Sequence, residues 1–290
     1  MRLLIICLIF AAIPVRLYAC ITLPKQEPNK LVHNQFFLSL LERVLTVTAD
    51  EFGTCQLQYS TQDLTHKRID YLVKQGREID LTWAPVTIER QQDYLTINEP
   101  LVKGLLGFRI MLVKESNIDL LKGVDSIEKL KPFQFGLGYG WPDVDIYQAN
   151  GLTVTQASTF EQLFKMLAAG RFPLFSRGFN EILPEYQLHK NKKLAIDPHI
   201  VLIYPLPVYF YVNKNNHLLA NRLKVGIQML RASGEFDYIF YNDPDIVTSL
   251  KALNLERRNK IYLCNPHLPK DIPFENTSLW HFPIEKTSCQ

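Results

Sequence analysis

Along this chain, segments whose apolar residues have helical spacing alternate with segments that have strand spacing. Helical spacing predicts helices over residues 33–52, 63–75, 124–130, 158–169 and 218–232. Short apolar runs predict strands over residues 21–24, 55–59, 79–84, 110–113, 133–137 and 172–175. Because strands and helices alternate, the pattern predicts an α/β fold in which the sheets are mostly parallel.

Several predicted helices carry end signals. Ser158 and Glu161 have the spacing of a capping box, and Gly170 follows the same helix. Gly53 and Gly76 stand at the predicted ends of the two earlier helices, where glycine readily takes the left-handed conformation that ends a helix. These signals place the loops between the predicted elements.

One apolar run, residues 200–212, is too long for an ordinary strand. It contains Pro205 and Pro207, and neither proline can donate a hydrogen bond to a neighbouring strand. We therefore predict that this run crosses from one lobe of the protein to another.

The amino-terminal residues have the pattern of an export signal. Arg2 is followed by an apolar run over residues 3–15 and a small-residue cleavage site that ends at Ala19. The run is shorter than the roughly 20 residues that a transmembrane helix needs. We therefore expect a soluble protein in the periplasm. In an alternative interpretation, Cys20 is acylated and anchors a lipoprotein.

The charges give no sign of a nucleic-acid partner. The chain has 32 basic and 29 acidic residues, and two of the basic ones, Arg2 and Arg16, belong to the predicted signal. Proteins that bind nucleic acids neutralise phosphates with clustered basic residues, whereas the basic residues here are dispersed among acidic ones. We expect a monomer of one or two domains.

Four cysteines remain beyond the predicted signal, namely Cys20, Cys55, Cys264 and Cys289. An even number in an oxidising compartment favours disulfide bonds. Cys20 and Cys55 each open a predicted strand, and the starts of adjacent parallel strands lie at the same sheet edge. We therefore favour a Cys20–Cys55 bond, which leaves Cys264 to pair with Cys289 in the tail.

The chain lacks the motifs of the common hydrolases and of zinc sites. The histidines form no H-E-x-x-H or H-x-x-E-H pattern, and no G-x-S-x-G sequence occurs. We therefore predict a binding protein that needs no metal or cofactor and has no enzymatic activity. Arg90 and Arg109 stand near the ends of two apolar strands, where a planar guanidinium can hold an anionic group with two parallel hydrogen bonds. The competing interpretations are an exposed Arg90 that pairs with Glu89 or Asp93, and an Arg109 that pairs with a buried acidic residue.

Two tryptophans are candidates for contact with the same ligand. Trp83 stands near the end of the strand over residues 79–84, and Trp141 follows a glycine-rich strand end with Asp143 beside it. Strand ends face the crevice of an open α/β sheet, where an aromatic ring can stack on a ligand. Packing in the core is the competing interpretation for both rings.

Several short motifs follow one another over about residues 21–241. The motifs are a helix and glycine leading into Asp80-Leu81, Thr87-x-x-Arg90 followed by Asn98-Glu99-Pro100, Gly170-Arg171-Phe172, and 207–214 followed by a helix and Gly234-Glu235-Phe236. Taken together, they resemble the bacterial extracytoplasmic solute-binding proteins of the polar amino acid type, often called family 3.

The resemblance implies a type II periplasmic binding fold, in which two lobes close on a small solute by a hinge motion. It also implies delivery of that solute to a membrane permease or a sensor receptor. The implied division is a signal over 1–19, lobe 1 over 20–110, lobe 2 over 111–203, a return to lobe 1 over 204–250, and a C-terminal extension over 251–290 that packs on lobe 1.

The resemblance also assigns binding roles. It implies that Arg90 holds a carboxylate of the solute. Members of the family often carry an aspartate near the Gly-Arg-Phe turn that accepts the ammonium of the solute, but this chain has Pro173-Leu174 there. Glu181, which follows the same strand together with Arg177, is the candidate replacement. A start of a helix with an acidic residue in its first turn is the competing interpretation of Glu181.

We therefore predict a periplasmic solute-binding protein for a small anionic or zwitterionic solute that resembles an amino acid. Two alternatives stay open. In the first, the cleft has no ligand and the protein acts as a sensor or partner of a membrane receptor. In the second, the same fold supports an enzyme such as a dehydratase, with Glu181 as a general acid.

Overall fold

A computed structural model describes residues 19–25, 31–284 and 289 of the protein. For residues 19–20 and 31–34 it describes the backbone alone. The predicted export signal therefore lies outside the described residues except for Ala19, and so does the side chain of Cys20.

The described helices and strands alternate along the chain. The strands are β1 (Ala19–Leu23), β2 (Gln56–Tyr59), β3 (Leu81–Pro85), β4 (Tyr94–Ile97), β5 (Phe108–Lys114), β6 (Gln134–Gly138), β7 (Thr153–Ala157), β8 (Leu174–Gly178), β9 (Leu194–Ile196), β10 (Ile200–Ile203), β11 (Val208–Asn213) and β12 (Asn259–Tyr262). The helices are α1 (Leu31–Val47), α2 (Ala49–Phe52), α3 (His66–Gln75), α4 (Ile88–Asp93), α5 (Ile127–Leu130), α6 (Pro142–Ala149), α7 (Phe160–Ala168), α8 (Phe179–Leu188), α9 (His217–Ala232), α10 (Glu235–Asn242) and α11 (Pro244–Leu253).

The predicted α/β class is confirmed, and three details of the local predictions are wrong. The helix predicted over 33–52 is divided at Thr48, whose Oγ1 donates to the carbonyl oxygen of Val44. The cap of α7 is Thr159 and not Ser158, because the Thr159 side chain accepts from the backbone N–H of Gln162. The strand predicted over 172–175 instead runs over 174–178 and leads directly into α8.

Strands β1 to β4 and β11 belong to what we call the small-sheet half. Its sheet has the order β3-β11-β4, and the parallel pair β1–β2 lies beside β3. The backbone N–H of Asp80 donates to the carbonyl oxygen of Thr22, which joins the pair to the sheet. Helix α3 packs on β3 and β11, whereas α9 packs on β4 and β11 and in turn carries α1 and α10.

The remaining strands form the large-sheet half, whose sheet has the order β12-β10-β5-β8-β6-β7, with β9 also paired to β5. The parallel pairings expected from the sequence are found for β6 with β7, β6 with β8 and β10 with β12. Strand β5 runs antiparallel to its neighbours, as β11 does in the small sheet. Both are the strands that the chain enters on passing from one half to the other.

Two short connections run directly from a strand of one half to a strand of the other, and the chain passes between the halves again from α10 through α11 to β12. Residues 98–107 lead from β4 to β5, and residues 204–207 lead from β10 to β11. The second connection is the proline-containing part of the run predicted to cross between lobes, and that crossing is confirmed. The backbone N–H of Tyr204 donates to the carbonyl oxygen of Gly107 at 3.1 Å, and that of Leu101 donates to Val208 at 3.0 Å. The exact lobe boundaries stay a prediction.

Gly107 permits the close approach of these connections, because a Cβ atom at this position would overlap the carbonyl oxygen of Tyr204. We expect Gly107→Ala to lower the free energy of unfolding by about 1–3 kcal/mol, the usual cost of an added methyl group in a packed site. Urea denaturation would measure this loss. An unchanged midpoint would show that the connections separate without cost.

The C-terminal tail, residues 259–284, contacts both halves. Its strand β12 pairs with β10 at the edge of the large sheet, and the Lys103 ammonium of the first connection donates to the carbonyl oxygen of Ser278. The predicted bond between Cys264 and Cys289 is confirmed, with Cα atoms 5.1 Å apart. Cys55 also forms a disulfide, but the side chain of its predicted partner Cys20 is outside the described residues.

Candidate functional site

Four of the predicted site residues meet beside the two connections. Arg109 near the start of β5 lies opposite Gly178 of β8, so the carboxyl end of β8 and the start of α8 are brought next to it. The antiparallel register also places Arg177 opposite Ile110. We name this group the ionic cluster. Its members are Arg109, Asp143, Arg177, Glu181, Glu185 and Tyr204.

Arg109 is the centre of the ionic cluster and is only 4% exposed. Its Nε donates to the Tyr204 hydroxyl at 2.8 Å, its Nη1 lies 3.1 Å from Glu181 Oε2, and its Nη2 donates to Asp143. The Tyr204 hydroxyl also donates to Asp143. Burial opposes the charge of Arg109, but the neighbouring carboxylates, with Asp143 first, raise its pKa well above the usual value. The guanidinium is therefore satisfied by groups of the protein itself.

Arg177 forms the second ion pair of the ionic cluster. Its Nε and Nη2 donate to the two carboxylate oxygens of Glu185, each at 2.5 Å, and its Nη2 lies 3.2 Å from Glu181. Glu185 is 2% exposed. Burial raises the pKa of Glu185 to about 7, although the bonds from Arg177 oppose that shift.

Trp141 packs on the ionic cluster as part of the core. Its indole lies over Gly138, where a Cβ atom would overlap the ring, and it stacks on Phe175. The guanidinium of Arg177 lies 4.8 Å from the centre of the indole, within the range of a cation–π contact. Core packing, the competing interpretation of this tryptophan, is therefore supported by its contacts.

Arg90 lies apart from the ionic cluster, in the small-sheet half. Thr87 caps α4 by accepting from the backbone N–H of Arg90 at 3.1 Å, which fixes the Thr-x-x-Arg turn. The Arg90 guanidinium donates from Nη1 and Nη2 to the two oxygens of Asp70, at 3.2 and 2.9 Å. It is half-buried, with 23% of the side chain exposed, and lies over the ring of Tyr211.

Trp83 lies on the opposite face of the small sheet from Arg90. Trp83 pairs with Phe210 in the register of β3 and β11, and its indole stacks on Phe37 of α1 at 5.2 Å. Tyr211, the next residue of β11, points to the other face because side chains alternate along a strand. The guanidinium of Arg90 lies over that tyrosine.

The structure thus brings together Arg109, Trp141, Asp143, Arg177 and Glu181 and leaves Arg90 and Trp83 separate from them. Three partners, namely Asp70, Glu185 and Tyr204, were not predicted from the sequence. Glu185 follows Glu181 by one helical turn, which is a signal for a shared face. No pattern in the sequence pairs Asp70 with Arg90, because that pair depends on how α3 and α4 pack in the small-sheet half. None pairs Tyr204 with Asp143 either, since these residues are 61 positions apart.

The described residues contain neither a candidate metal site nor a candidate membrane-spanning helix. No group of three or more histidine, cysteine, aspartate or glutamate side chains could hold a metal ion in the part of the chain that the structure describes. In the same part, every helix is too short or too polar to cross a lipid bilayer.

Comparisons with known proteins identify the fold. No protein-family model and no curated protein sequence matches the chain. Among solved structures, an ancestral arginine-binding protein bound to arginine covers 77% of this chain and 98% of its own, with 18% identity and a TM-score of 0.53. The chain has the fold of the amino-acid-binding proteins of ABC transporters.

Two further structures support that assignment of the amino-acid-binding fold. A Salmonella typhimurium periplasmic binding protein with high arginine specificity is 16% identical and gives a TM-score of 0.54, with 77% of this chain and 97% of the other covered. An amino acid ABC transporter substrate-binding protein of Streptococcus pneumoniae bound to L-arginine is 18% identical, with a TM-score of 0.50 and coverage of 73% and 84%. These neighbours are binding proteins rather than enzymes.

Proposed function

We propose that this chain is an extracytoplasmic solute-binding protein that captures a small zwitterionic solute of the amino acid type for a membrane permease or sensor. The fold supports a solute-binding role, because nearly the whole length of two arginine-binding proteins is covered by 77% of this chain. The export pattern at the amino terminus supports a periplasmic location.

The partly exposed pair of Arg90 and Asp70 carries the proposed chemistry. A guanidinium has five N–H donors, and Asp70 accepts from two of the nitrogens. The remaining donors suit the carboxylate of an α-amino acid, while Asp70 supplies the negative charge that an ammonium group needs. In contrast, Arg109 and Arg177 are buried and use their donors within the ionic cluster, so we assign them to stabilising the large-sheet half where the second connection begins.

The other predicted contacts take lesser roles in this proposal. Trp83 stacks on Phe37 on the face of the small sheet opposite to Arg90, so the proposal gives it no contact with a solute held by Arg90. Trp141, Asp143 and Glu181 belong with the ionic cluster, where they support the wall of the cleft. The chain acts as a monomer in this proposal and requires no cofactor.

A thermal-shift screen of amino acids, small peptides and organic acids tests the proposal. A solute present at 100 times its dissociation constant stabilises the folded state by about 2.7 kcal/mol. We expect a rise in melting temperature with at least one amino acid. If no compound in the screen changes the melting temperature, solute binding is refuted.

We expect Arg90→Ala to weaken binding of the solute found in that screen by roughly 10- to 100-fold, since a hydrogen bond to a charged group contributes about 1.5–3 kcal/mol. Isothermal calorimetry would measure the change. Arg77→Ala is the matched control, because Arg77 is an exposed arginine just beyond α3. Equal affinities of the two variants would remove Arg90 from the binding site.

A second candidate function is a sensor or partner protein that has no solute. It is favoured by the bidentate pairing of Arg90 with Asp70, because an internal carboxylate already occupies the guanidinium expected to hold the solute. A blank screen, combined with capture of a membrane receptor by the folded protein, would support this candidate over the first.

A further inference from the structure

The tail is attached to the large-sheet half by its first part. Beyond the β12–β10 pairing, the side chain of Asn150, the residue that caps the C-terminus of α6, forms two hydrogen bonds with the backbone of Cys264. Its Nδ2 donates to the Cys264 carbonyl oxygen at 2.9 Å, and its Oδ1 accepts from the Cys264 N–H at 3.0 Å. His267 lies 2.8 Å from Asp145 of the same helix. The tail is therefore fixed to α6.

The tail is attached to the small-sheet half by its second part. Asp271 accepts from the amide of Gln91 in α4 at 3.0 Å, and Nδ1 of His281 lies 3.0 Å from the Tyr241 hydroxyl in α10. The same part of the tail contacts the first connection, where the backbone N–H of His281 donates to the carbonyl oxygen of Lys103 at 2.9 Å and the Lys103 ammonium donates to the carbonyl oxygen of Ser278 at 2.8 Å. The tail thus spans the two halves.

Between these attachments, the tail covers both connections. Asn265, which is buried, donates from Nδ2 to the carbonyl oxygen of Pro205 in the second connection at 2.8 Å. Trp280 and Ile284 pack directly on Gly104 of the first connection. Any rotation of one half against the other bends the chain at these two connections, because they join the two sheets. The tail therefore contacts the protein at the positions where a hinge motion needs freedom.

We propose that the tail is a strap that limits how far the two halves open. Hydrogen bonds to both halves resist a change in the angle between them, and the packing on Gly104 and Pro205 restrains the hinge itself. The Cys264–Cys289 bond links the tail near its attachment to α6 with the C-terminal end of the chain. If the proposed function is correct, the strap sets the width of the open cleft, but the strap itself requires no solute.

Amide hydrogen exchange of the full-length, oxidised protein without solute tests the strap. The reporters are two backbone amides. The Leu101 amide joins the first connection to Val208, and the Tyr204 amide joins the second connection to the first. The variant Asn150→Ala/Asp271→Ala removes one attachment on each side. We expect its Leu101 and Tyr204 amides to exchange about tenfold faster, whereas amides in the β6–β7 pairing keep their rates.

Glu275→Ala is the matched control, because Glu275 is an exposed acidic residue of the tail. This control should leave all the reporter rates unchanged. If the tail amides of Leu263 and His281 exchange faster while the Leu101 and Tyr204 amides keep their rates, the strap proposal is overturned, because the tail then loosens without any effect on the connections. If the tail amides do not respond, Cys264→Ser/Cys289→Ser is added to the variant, and unchanged Leu101 and Tyr204 amides then overturn the proposal.

The outcome of this experiment is independent of the solute screen. A strap without solute binding gives slow Leu101 and Tyr204 exchange in the wild type and a blank screen. Solute binding without a strap gives a thermal shift, and the exchange rates of the Leu101 and Tyr204 amides are then the same in the wild type and in the tail variants.

Discussion

Replacing Arg109 by alanine is expected to lower the free energy of unfolding by about 3–5 kcal/mol, because the change leaves the carboxylate of Asp143 buried without its main charge partner. Asp143 is 4% exposed, so water cannot take the place of the guanidinium. The Tyr204 hydroxyl would lose the same donor. Urea denaturation followed by circular dichroism would measure the loss.

Two further variants separate the buried ion pair from a general effect of losing charge. Lys129→Ala removes an exposed ion pair with Asp125 and should leave the unfolding midpoint unchanged. Arg109→Leu/Asp143→Leu removes both buried charges and should recover most of the stability lost in Arg109→Ala. A loss below 1 kcal/mol in Arg109→Ala would mean that Asp143 finds water or another donor, and the ionic cluster would not stabilise the large-sheet half.

The sequence pattern predicted the elements whose signals are local. Apolar spacing located α3, α7 and α9, because each helix buries one stripe of side chains such as Leu72 and Val73 of α3. Pro205 and Pro207 located the crossing between the halves, since a proline cannot complete a sheet ladder. The burial of one helix face and the fixed geometry of proline depend on residues that are close in sequence, so both can be predicted from the sequence alone.

The candidate site was predicted less completely, because its partners come from distant segments. Arg109 and Asp143 were each recognised as candidates for binding a ligand, but their pairing depends on how β5 and α6 are placed by the large sheet. The same holds for Arg90 and Asp70, which a turn of α3 and the cap of α4 bring together. A charged residue near a strand end therefore predicts a polar site, whereas its partner decides between ligand binding and internal pairing.

Glu185 is expected to make the stability of the protein fall as the pH rises from about 4.5 to about 7. Burial raises the pKa of its carboxyl group from 4.5 to about 7 in the folded protein. Between these values the folded protein holds a proton that the unfolded chain has released, so raising the pH favours unfolding. The shift corresponds to roughly 3 kcal/mol, fully present below pH 4.5 and lost as the pH passes 7.

Glu185→Gln isolates this effect, because glutamine has nearly the same shape and does not titrate. The charged groups near Glu185 are Arg177, Glu181 and Arg109, and all three remain in the variant. Comparing wild type and variant at each pH therefore removes the part of their titration that does not depend on the charge of Glu185. We expect the free energy of unfolding of the wild type, relative to that of Glu185→Gln, to fall by about 3 kcal/mol between pH 4.5 and pH 8. A constant difference across this range, measured by urea denaturation, would show that Arg177 keeps Glu185 ionised in the folded protein at every pH tested.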